Sequence, residues 1–205
     1  GPRSEPADDY GAGDVMDRIF DAATDLFSRK GFREATSQDI ADHAGLPKGT
    51  LYYYIASKEE LLLRIHETVL REGLSRITQA VEAGGSTEVV LCRVLCEHIA
   101  NIRRFRSSIV VFNEELKYLS PASVDELTEL RDAYTNRFVE VLSDGVAGGE
   151  LRIPNLRVVS LLILGMLNML YRWYTVELNP APELLGDLYT RLVLEGVVDR
   201  SGSAV

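Results

Sequence analysis

The stretch Thr36–Lys58, with the sequence TSQDIADHAGLPKGTLYYYIASK, constrains the fold of this chain more than any other segment. Thr36 is a good N-cap, and Asp39 follows at the position from which a carboxylate bonds back to the capping residue. Gly45 permits the left-handed backbone that ends a helix, and Pro47 suits the first turn of a new helix because it lacks an N–H. The segment therefore predicts two short helices joined by a tight turn, a helix-turn-helix.

The second helix of this pair, predicted over about 47–55, has the composition of a helix that enters the major groove of DNA. No acidic residue occurs between Asp42 and Glu59, so carboxylates are kept away from phosphates. Gly49 would let the backbone approach DNA closely, and Lys58 would begin the next helix and direct its N-terminus at a phosphate. The residues predicted to bind DNA are Thr36, Lys48, Gly49, Thr50, Tyr52, Tyr53, Tyr54 and Lys58.

The net charge of −9 is carried mainly outside this segment. Between Ser28 and Lys58 there are five basic and three acidic residues, which gives a local charge of +2. Local charge decides affinity for phosphates more than the total does, so the acidic composition is compatible with DNA binding.

The two cysteines, Cys92 and Cys96, lie four residues apart on a predicted helix, a spacing unlike that of a metal-binding hairpin. They are interpreted as small buried hydrophobic residues, with a metal site that adds His98 as the alternative. Neither a metal nor a cofactor is expected. Two cysteines without a secretion signal indicate a cytoplasmic protein.

Apolar residues recur at helical spacing along the chain, and neither strand alternation with hairpin turns nor a repeat of fixed period occurs. We therefore expect an all-α chain of about nine helices, three of them in the N-terminal domain. The expected organisation is a disordered tail over 1–13, a helix-turn-helix domain over 14–58, a helical domain for ligand binding and dimerisation over 59–199, and a tail over 200–205. Asp14 is predicted to cap the first helix.

The helix predicted over 156–177 is the most apolar one in the chain. Between Arg157 and Arg172 lie 14 residues, almost all apolar, which is too few to span a bilayer. A buried or dimer-forming helix is therefore expected here, and no membrane partner.

At the helix-turn-helix and its flanks the chain resembles the TetR family of bacterial transcriptional regulators. The residues that carry the resemblance are Ile19, Ala22-Ala23, Leu26-Phe27, Gly31-Phe32, Thr36, Ile40-Ala41, Ala44-Gly45, Gly49-Thr50-Leu51-Tyr52-Tyr53 and Ser57-Lys58-Glu59-Glu60-Leu61. Tyr54 and Ile55 depart from the family pattern, in which a histidine and an aromatic residue are common. The resemblance implies a repressor that binds a palindromic double-stranded DNA operator and is released by a small-molecule effector.

The resemblance also implies a homodimer, because the last long helices of such proteins form a four-helix interface between subunits. It places the interface on the helices predicted over 156–177 and 183–198, at Leu161, Leu164, Gly165, Leu184, Leu188 and Leu192. The alternative for the first of these helices is a plain core helix.

The middle helices are then free to enclose a pocket for the effector. The candidate ligand-binding residues are Phe105, Phe112, Asn113, Met166, Asn168, Met169 and Trp173, with plain core as the alternative for each. The segments 110–115 and 171–174 look like those of TetR-like regulators of fatty-acid, steroid and aromatic-acid breakdown, several of which sense acyl-coenzyme A thioesters. This likeness implies an acyl-coenzyme A effector, with Arg103, Arg104 or Arg172 as phosphate partners.

Two other classes of function compete with a regulator. An enzyme would need a nucleophile with a base, a metal cluster or a phosphate loop, and the sequence shows none of these motifs. A helical module that uses the helix-turn-helix to bind protein is the second alternative. Binding dominated by phosphates would weaken steeply with salt, whereas an apolar protein contact would not.

Overall fold

The computed structural model of the chain describes residues 12–174 and 180–197. Within these residues every regular element is helical. The elements are α1 (Ala12–Lys30), α2 (Ser37–His43), α3 (Lys48–Tyr54), α4 (Lys58–Glu82), α5 (Thr87–Arg104), α6 (Arg106–Glu114), a 3-10 turn (Leu116–Tyr118), α7 (Pro121–Ala147), α8 (Leu156–Asn168), α9 (Leu170–Trp173) and α10 (Pro182–Val197). Met169 alone separates α8 from α9, and counting these two as one interrupted helix gives nine. The prediction of an all-α chain is confirmed.

The helix-turn-helix forms as its sequence predicts. The Asp39 backbone N–H donates to Thr36 Oγ1 at 3.0 Å, and the Thr36 N–H donates to Asp39 Oδ2 at 2.9 Å, which closes the capping box of α2. Gly45 ends this helix with a φ of +66°. Pro47 is the extended residue immediately before α3, one position earlier than its expected place in the first turn.

Several predicted helix limits change in the structure. Because α1 begins at Ala12, Asp14 lies in its first turn and does not cap it. The helix predicted over 156–177 breaks at Met169, and its predicted end at residue 177 lies outside the described residues. Most of the expected tail over 1–13, the end of the predicted last helix at Val198, and the tail over 200–205 also lie outside them.

The chain has two hydrophobic cores, and α4 contributes to both. The N-terminal core contains Ile19, Phe27, Ile40 and Leu51 together with Leu61 from the first turns of α4. It also takes in residues from α6, from α7 and from the segment between them: Val111, Leu119 and Leu127. The second core is formed by the later part of α4 with α5, α7, α8, α9 and α10. The helix-turn-helix is therefore packed against the larger helical body and not tethered by α4 alone.

Two carboxylates join the helix-turn-helix region to that body. Glu59, in the first turn of α4, accepts hydrogen bonds from the Ser120 N–H at 2.9 Å and from Ser123 Oγ at 3.2 Å, at the start of α7. These bonds, the backbone N–H of Ser120 first, lower the pKa of Glu59. Glu115, which follows α6, accepts from the Phe32 N–H at 3.2 Å just beyond the end of α1.

Candidate DNA-binding surface and effector cavity

One face of α3 is exposed and carries most of the predicted DNA-binding side chains. Lys48, Gly49, Tyr52 and Tyr53 all lie on the surface, with Tyr52 51% and Tyr53 83% exposed. These positions are spaced i, i+1, i+4 and i+5, so they share one side of the helix. Nothing in the described structure lies within 4 Å of the place where a Cβ on Gly49 would stand, which leaves the backbone open to a close partner.

The opposite side of α3 anchors it in the N-terminal core. Leu51 is fully buried and Ile55 is 3% exposed, both packed with residues of α1 and α2. Arg18 of α1 reaches across and donates to the carbonyl oxygens of Ala44 at 2.5 Å and Gly45 at 3.3 Å, at the turn before α3. These contacts fix the turn and hold the tyrosines outward.

The remaining predicted contacts divide by position. Thr36 is exposed, with its hydroxyl oxygen already accepting the cap hydrogen bond of α2. Thr50 is half-buried at the edge of the exposed face. Tyr54 is half-buried against the N-terminal core and makes an edge-to-face contact with Tyr53 at a centroid distance of 5.2 Å. It supports Tyr53 from behind.

The ammonium of Lys58 is used inside the chain. Lys58 begins α4, as predicted, and the approach of this helix N-terminus to a phosphate stays a prediction. Lys58 Nζ donates to the carbonyl oxygens of Phe32 at 2.7 Å and Ala35 at 2.9 Å. It also lies 4.4 Å from the centroid of the Phe32 ring. Burial lowers the pKa of this lysine. The side chain closes the loop between α1 and α2 onto the start of α4.

A cavity of about 260 Å³ lies within the larger body, between α4, α5, α6, α7 and α8. Its apolar side chains are Val69, Leu70, Ile102, Ile109, Phe112, Leu161 and Leu164, and Gly165 also lines it. Its polar side chains are His98, Asn101, Asn113, Arg131, Thr135 and Asn168, with Tyr134 among them. Mostly apolar walls with a few polar groups are typical of a small-molecule site.

Three of the seven predicted ligand-binding residues line this cavity: Phe112, Asn113 and Asn168. Met166, Met169 and Trp173 do not line it, because they lie on the outside of α8 and α9 with exposures of 39%, 50% and 44%. Phe105 is half-buried at the break between α5 and α6 and packs against the second core. Arg172, predicted to meet a phosphate, pairs instead with Glu114 at 2.7 Å.

Several buried polar residues that line the cavity were not predicted from the sequence to bind a ligand. His98 is 7% exposed, and its Nδ1 is hydrogen-bonded to the hydroxyl of Tyr134. Burial lowers the pKa of His98 to about 4 and raises that of Tyr134, so both groups are neutral at pH 7. Asn101 is 6% exposed on the same helix. Neutral polar residues at helical spacing look the same in sequence whether they line a cavity or are hydrogen-bonded within a packed core.

The outer surface of α8, α9 and α10 is strongly apolar. The exposed residues, between 39% and 63% accessible, are Leu161, Leu162, Met166, Met169, Trp173, Leu184, Leu188 and Leu192. Gly165 is exposed with open space where a Cβ would stand. Leu164 was predicted to belong to this surface but does not, because it is 6% exposed and lines the cavity. Leu161 and Gly165 are exposed and also line the cavity.

The span Leu156–Trp173, with a mean hydropathy of 1.3 and one third of it buried, is long and apolar enough to cross a membrane by length and composition alone. This corrects the expectation of a segment too short to span a bilayer, which counted only the 14 residues between Arg157 and Arg172. Two features argue for a protein contact. Its inward-facing residues Ile163, Leu164 and Leu167 belong to the second core. Its outward-facing residues are apolar, as are the exposed leucines of α10. Large exposed apolar patches on folded proteins mark interaction sites.

Cys92 and Cys96 are half-buried, and their sulfur atoms are 3.9 Å apart. Burial raises the pKa of the Cys96 thiol to about 12, so it stays protonated at neutral pH. Among the residues that the structure describes, no cluster of three or more His, Cys, Asp or Glu side chains is arranged to hold a metal ion.

Comparison with known proteins agrees with this architecture over most of the chain. Residues 19–65 match the family model described as bacterial regulatory proteins of the tetR family, and residues 84–197 match the model of the tetracyclin repressor-like C-terminal domain. The transcriptional repressor KstR2 of Mycolicibacterium smegmatis is 29% identical over 193 residues, which cover 91% of this chain and 92% of the relative.

Solved structures of TetR regulators have the same fold. The regulator PfmR of Thermus thermophilus superposes with a TM-score of 0.81 at 28% identity, over 87% of this chain and 97% of its own. The regulator FadR of Bacillus subtilis, solved in complex with stearoyl-CoA, gives a TM-score of 0.75 at 20% identity, over 88% of this chain and 98% of its own. These relatives are transcriptional regulators and not enzymes. The chain belongs to the TetR family of bacterial regulatory proteins.

Proposed function

We propose that the chain is a transcriptional repressor that binds a palindromic double-stranded DNA operator as a homodimer and is released by a small-molecule effector. The exposed face of α3 carries this proposal. Four adjacent positions of a well-anchored helix present an ammonium, an open glycine backbone and two tyrosines to solvent, with no carboxylate among them. A protein that binds chromosomal operators in this way works in the cytoplasm.

The proposed DNA contacts follow from exposure. Lys48 and the backbone at Gly49 approach the sugar-phosphate chain, while Tyr52, Tyr53 and Thr50 face the groove. Thr36 lies at the start of α2, where the hydroxyl hydrogen is free to reach a phosphate. Tyr54 and Lys58 support this surface from within, and we assign neither of them a direct contact.

A second copy of the chain is the partner proposed for the outer surface of α8 and α10. One recognition helix covers only a few base pairs, so specific binding calls for two α3 helices about 34–36 Å apart on one side of DNA. Leu161, Gly165, Leu184, Leu188 and Leu192 are the exposed residues proposed for the interface. The open space at Gly165 would let helices of the two subunits approach closely.

The cavity is proposed as the effector site. KstR2 and FadR are relatives by sequence or fold, and FadR was solved with an acyl-CoA bound, which supports an acyl-coenzyme A as one effector class. At the ~30 Å³ that a water molecule occupies in the liquid, 260 Å³ holds about nine groups of that size. Coenzyme A is several times larger, so only the acyl part of such a ligand fits inside.

DNA binding is tested on a pool of genomic fragments that includes the region upstream of the protein's own gene, at several salt concentrations. Selection of one palindromic site, with affinity that falls steeply with salt, is the expected result. Lys48→Ala and Tyr52→Ala should each weaken operator binding while leaving size and helix content unchanged. Salt-independent binding of protein partners without any specific fragment would replace the regulator with a protein-interaction module.

Dimerisation is tested by light scattering on Leu162→Arg combined with Leu188→Arg. Both side chains lie on the apolar outer surface of α8 and α10 and are 63% and 51% exposed, so arginine there does not disturb the core. The matched control is Tyr53→Arg, at a residue of α3 in the helix-turn-helix that is 83% exposed. We expect a monomer from the double variant and a dimer from the control. A dimer in both cases would place the interface elsewhere.

The effector class is tested by adding a panel of acyl-coenzyme A thioesters and the matching free acids to the operator complex. Release by one thioester supports the class, and the matching acid shows whether coenzyme A contributes. If no thioester alters operator affinity, the acyl-coenzyme A class is discarded while the regulator stands.

A further inference from the structure

Two buried polar atoms of residues that line the cavity, His98 Nε2 and Asn101 Oδ1, have almost no accessible surface and no hydrogen-bond partner within the described part of the chain. Their residues are 7% and 6% exposed. They are three positions apart on α5, which puts both on one side of the helix, and both line the cavity. Native proteins rarely leave buried polar atoms unpaired, and each such atom calls for an explanation by a ligand or a water molecule.

The hydrogen-bonding character of these two atoms follows from their surroundings. His98 is neutral because burial lowers its pKa to about 4, and Tyr134 keeps its proton because burial raises its pKa. The Tyr134 hydroxyl hydrogen needs an acceptor, and the His98 Nδ1 atom bonded to it is the one the structure provides. The imidazole hydrogen then resides on Nε2, an assignment made from the hydrogen-bond network. The unpaired atom of His98 is therefore a donor, and the unpaired atom of Asn101 is an acceptor.

A single hydroxyl group within reach of both atoms would satisfy both of them. Its oxygen accepts from His98 Nε2–H, and its hydrogen is donated to Asn101 Oδ1. A carbonyl or carboxylate oxygen would accept only, leaving the Asn101 oxygen unpaired. An ammonium would donate only and would place a charge in a buried, mostly apolar site. The chemistry of the buried end thus favours a neutral alcohol on an apolar skeleton.

The rim of the cavity is exposed and carries a charge, whereas the buried polar residues of the cavity are neutral. Arg131 of α7 and Asn168 at the end of α8 are both exposed cavity residues. No carboxylate of the described chain lies within ion-pair distance of the Arg131 guanidinium. A cation at the mouth of an apolar cavity binds a carboxylate or phosphate on the outward end of a ligand.

We propose that the effector of this chain is a hydroxylated acyl compound, with its hydroxyl held by His98 and Asn101 and its anionic end at Arg131. This inference rests on the proposed function, since it names the chemistry of the effector in that cavity. The enclosed skeleton has room for about nine non-hydrogen atoms, the number of water-sized groups that the volume holds. The anion is either a free carboxylate or the phosphates of an attached coenzyme A.

The test is calorimetric binding of octanoate and of its hydroxylated isomers, one hydroxyl at each position from the fourth carbon to the last, to the full chain. The best hydroxy isomer should bind at least about tenfold more tightly than octanoate, because only the hydroxyl satisfies both buried atoms. The same isomer as its coenzyme A thioester then distinguishes the two sources of the anion. Arg131→Met should weaken octanoate and the hydroxy isomer by the same factor.

Variants of the polar pair make the test specific. In His98→Leu and Asn101→Leu the preference for the hydroxy isomer should fall to less than about threefold. Tyr134→Phe keeps the ring but removes the hydroxyl that orders His98, so it should lower the preference without loss of helix content. The control is Ser160→Ala, which removes another buried unpaired hydroxyl that does not line the cavity and should leave the preference intact.

The outcomes separate this inference from the proposed function. Equal affinity for octanoate and every hydroxy isomer, or no binding of any of them, overturns the hydroxylated class even when operator binding is intact. A preference that survives in Asn101→Leu and in Tyr134→Phe also overturns it, whether or not His98→Leu folds. Loss of the proposed function shows independently, as the absence of a specific operator for the ligand-free protein.

Discussion

Lys58 and Lys48 provide a direct test of which lysine serves the fold and which serves DNA. Sequence alone places both at the DNA surface, but the structure gives only Lys58 internal partners, the carbonyl oxygens of Phe32 and Ala35 at 2.7 Å and 2.9 Å. The substitution Lys58→Met keeps the apolar stem and removes the ammonium. Lys48→Met is the matched control on the exposed face of α3.

The expected magnitude follows from those two hydrogen bonds. A hydrogen bond to a charged group contributes about 1.5–3 kcal/mol, and because Lys58 is partly exposed we expect Lys58→Met to lower the free energy of unfolding by about 2 kcal/mol in total. For a chain of this size that corresponds to a fall in Tm of about 4–8 °C. Lys48→Met should change the free energy of unfolding by less than about 0.5 kcal/mol.

The assays are denaturant unfolding at fixed protein concentration and operator binding as a function of salt. Lys48→Met should reduce the slope of log affinity against log salt by about 1 for each protomer, and Lys58→Met should leave that slope unchanged. The reasoning fails if Lys58→Met retains full stability and instead loses the salt dependence. That result would return Lys58 to the DNA surface.

Three further changes test other parts of the structure. Gly49→Ala should raise the free energy of unfolding slightly, by about 0.5–1 kcal/mol, yet weaken operator binding measured by fluorescence anisotropy, because the added Cβ meets open space in the free protein. Gly186→Ala should destabilise the chain by about 1–3 kcal/mol in denaturant, since the new Cβ would overlap Cys96 Sγ and lie 3.2 Å from its backbone. Burial lowers the pKa of His98 in the folded state to about 4, from the ordinary value of 6.5. As pH falls, His98 is therefore protonated in the unfolded state before it is protonated in the folded state, and the free energy of unfolding declines between about pH 6.5 and about pH 4. In His98→Gln the free energy of unfolding should decline by up to about 3 kcal/mol less over this pH range, as measured by denaturant unfolding at each pH. A pH profile identical to that of the original protein would contradict the lowered pKa of His98.

The helix-turn-helix was predictable because its determinants are local. Thr36 and Asp39 make a reciprocal cap between neighbours in sequence, and Gly45 adopts the positive φ that its lack of a side chain allows. The internal hydrogen bonds of Lys58 were not predictable because its partners, Phe32 and Ala35, lie more than 20 residues away. A basic residue near a DNA-binding helix reads the same in sequence whether it faces a phosphate or a carbonyl of its own chain.

The cavity was less predictable because α8 is apolar on both sides. Leu161 and Leu164 are equally hydrophobic and both line the cavity, and yet Leu161 is 51% exposed while Leu164 is 6% exposed. Periodicity cannot separate an inward from an outward face when both are apolar. The meeting of His98 with Tyr134 depends on α5 packing against α7, which no local pattern encodes.

The position of α6 connects the cavity to the DNA-binding surface. Its Ile109, Phe112 and Asn113 line the cavity, and the next residue after the helix, Glu115, holds the Phe32 N–H at the end of α1. An effector that displaces Phe112 acts on the helix whose end carries this bond. An effector shifts the equilibrium between two conformations only by the difference in its affinity for them. Loss of the Glu115 hydrogen bond should therefore reduce the response to effector more than it reduces operator affinity in the absence of effector.

Glu115→Ala is therefore expected to retain an operator affinity within about threefold of the original while its release by effector falls about fivefold or more, the lower end of typical coupling between sites. Glu115→Gln keeps an acceptor for the Phe32 N–H and should respond nearly normally. The measurement is operator affinity with and without saturating effector for all three proteins. A full response in Glu115→Ala would contradict a role of Glu115 in coupling. It would point to the other carboxylate link of the described structure, in which Glu59 accepts hydrogen bonds from Ser120 and Ser123 at the start of α7.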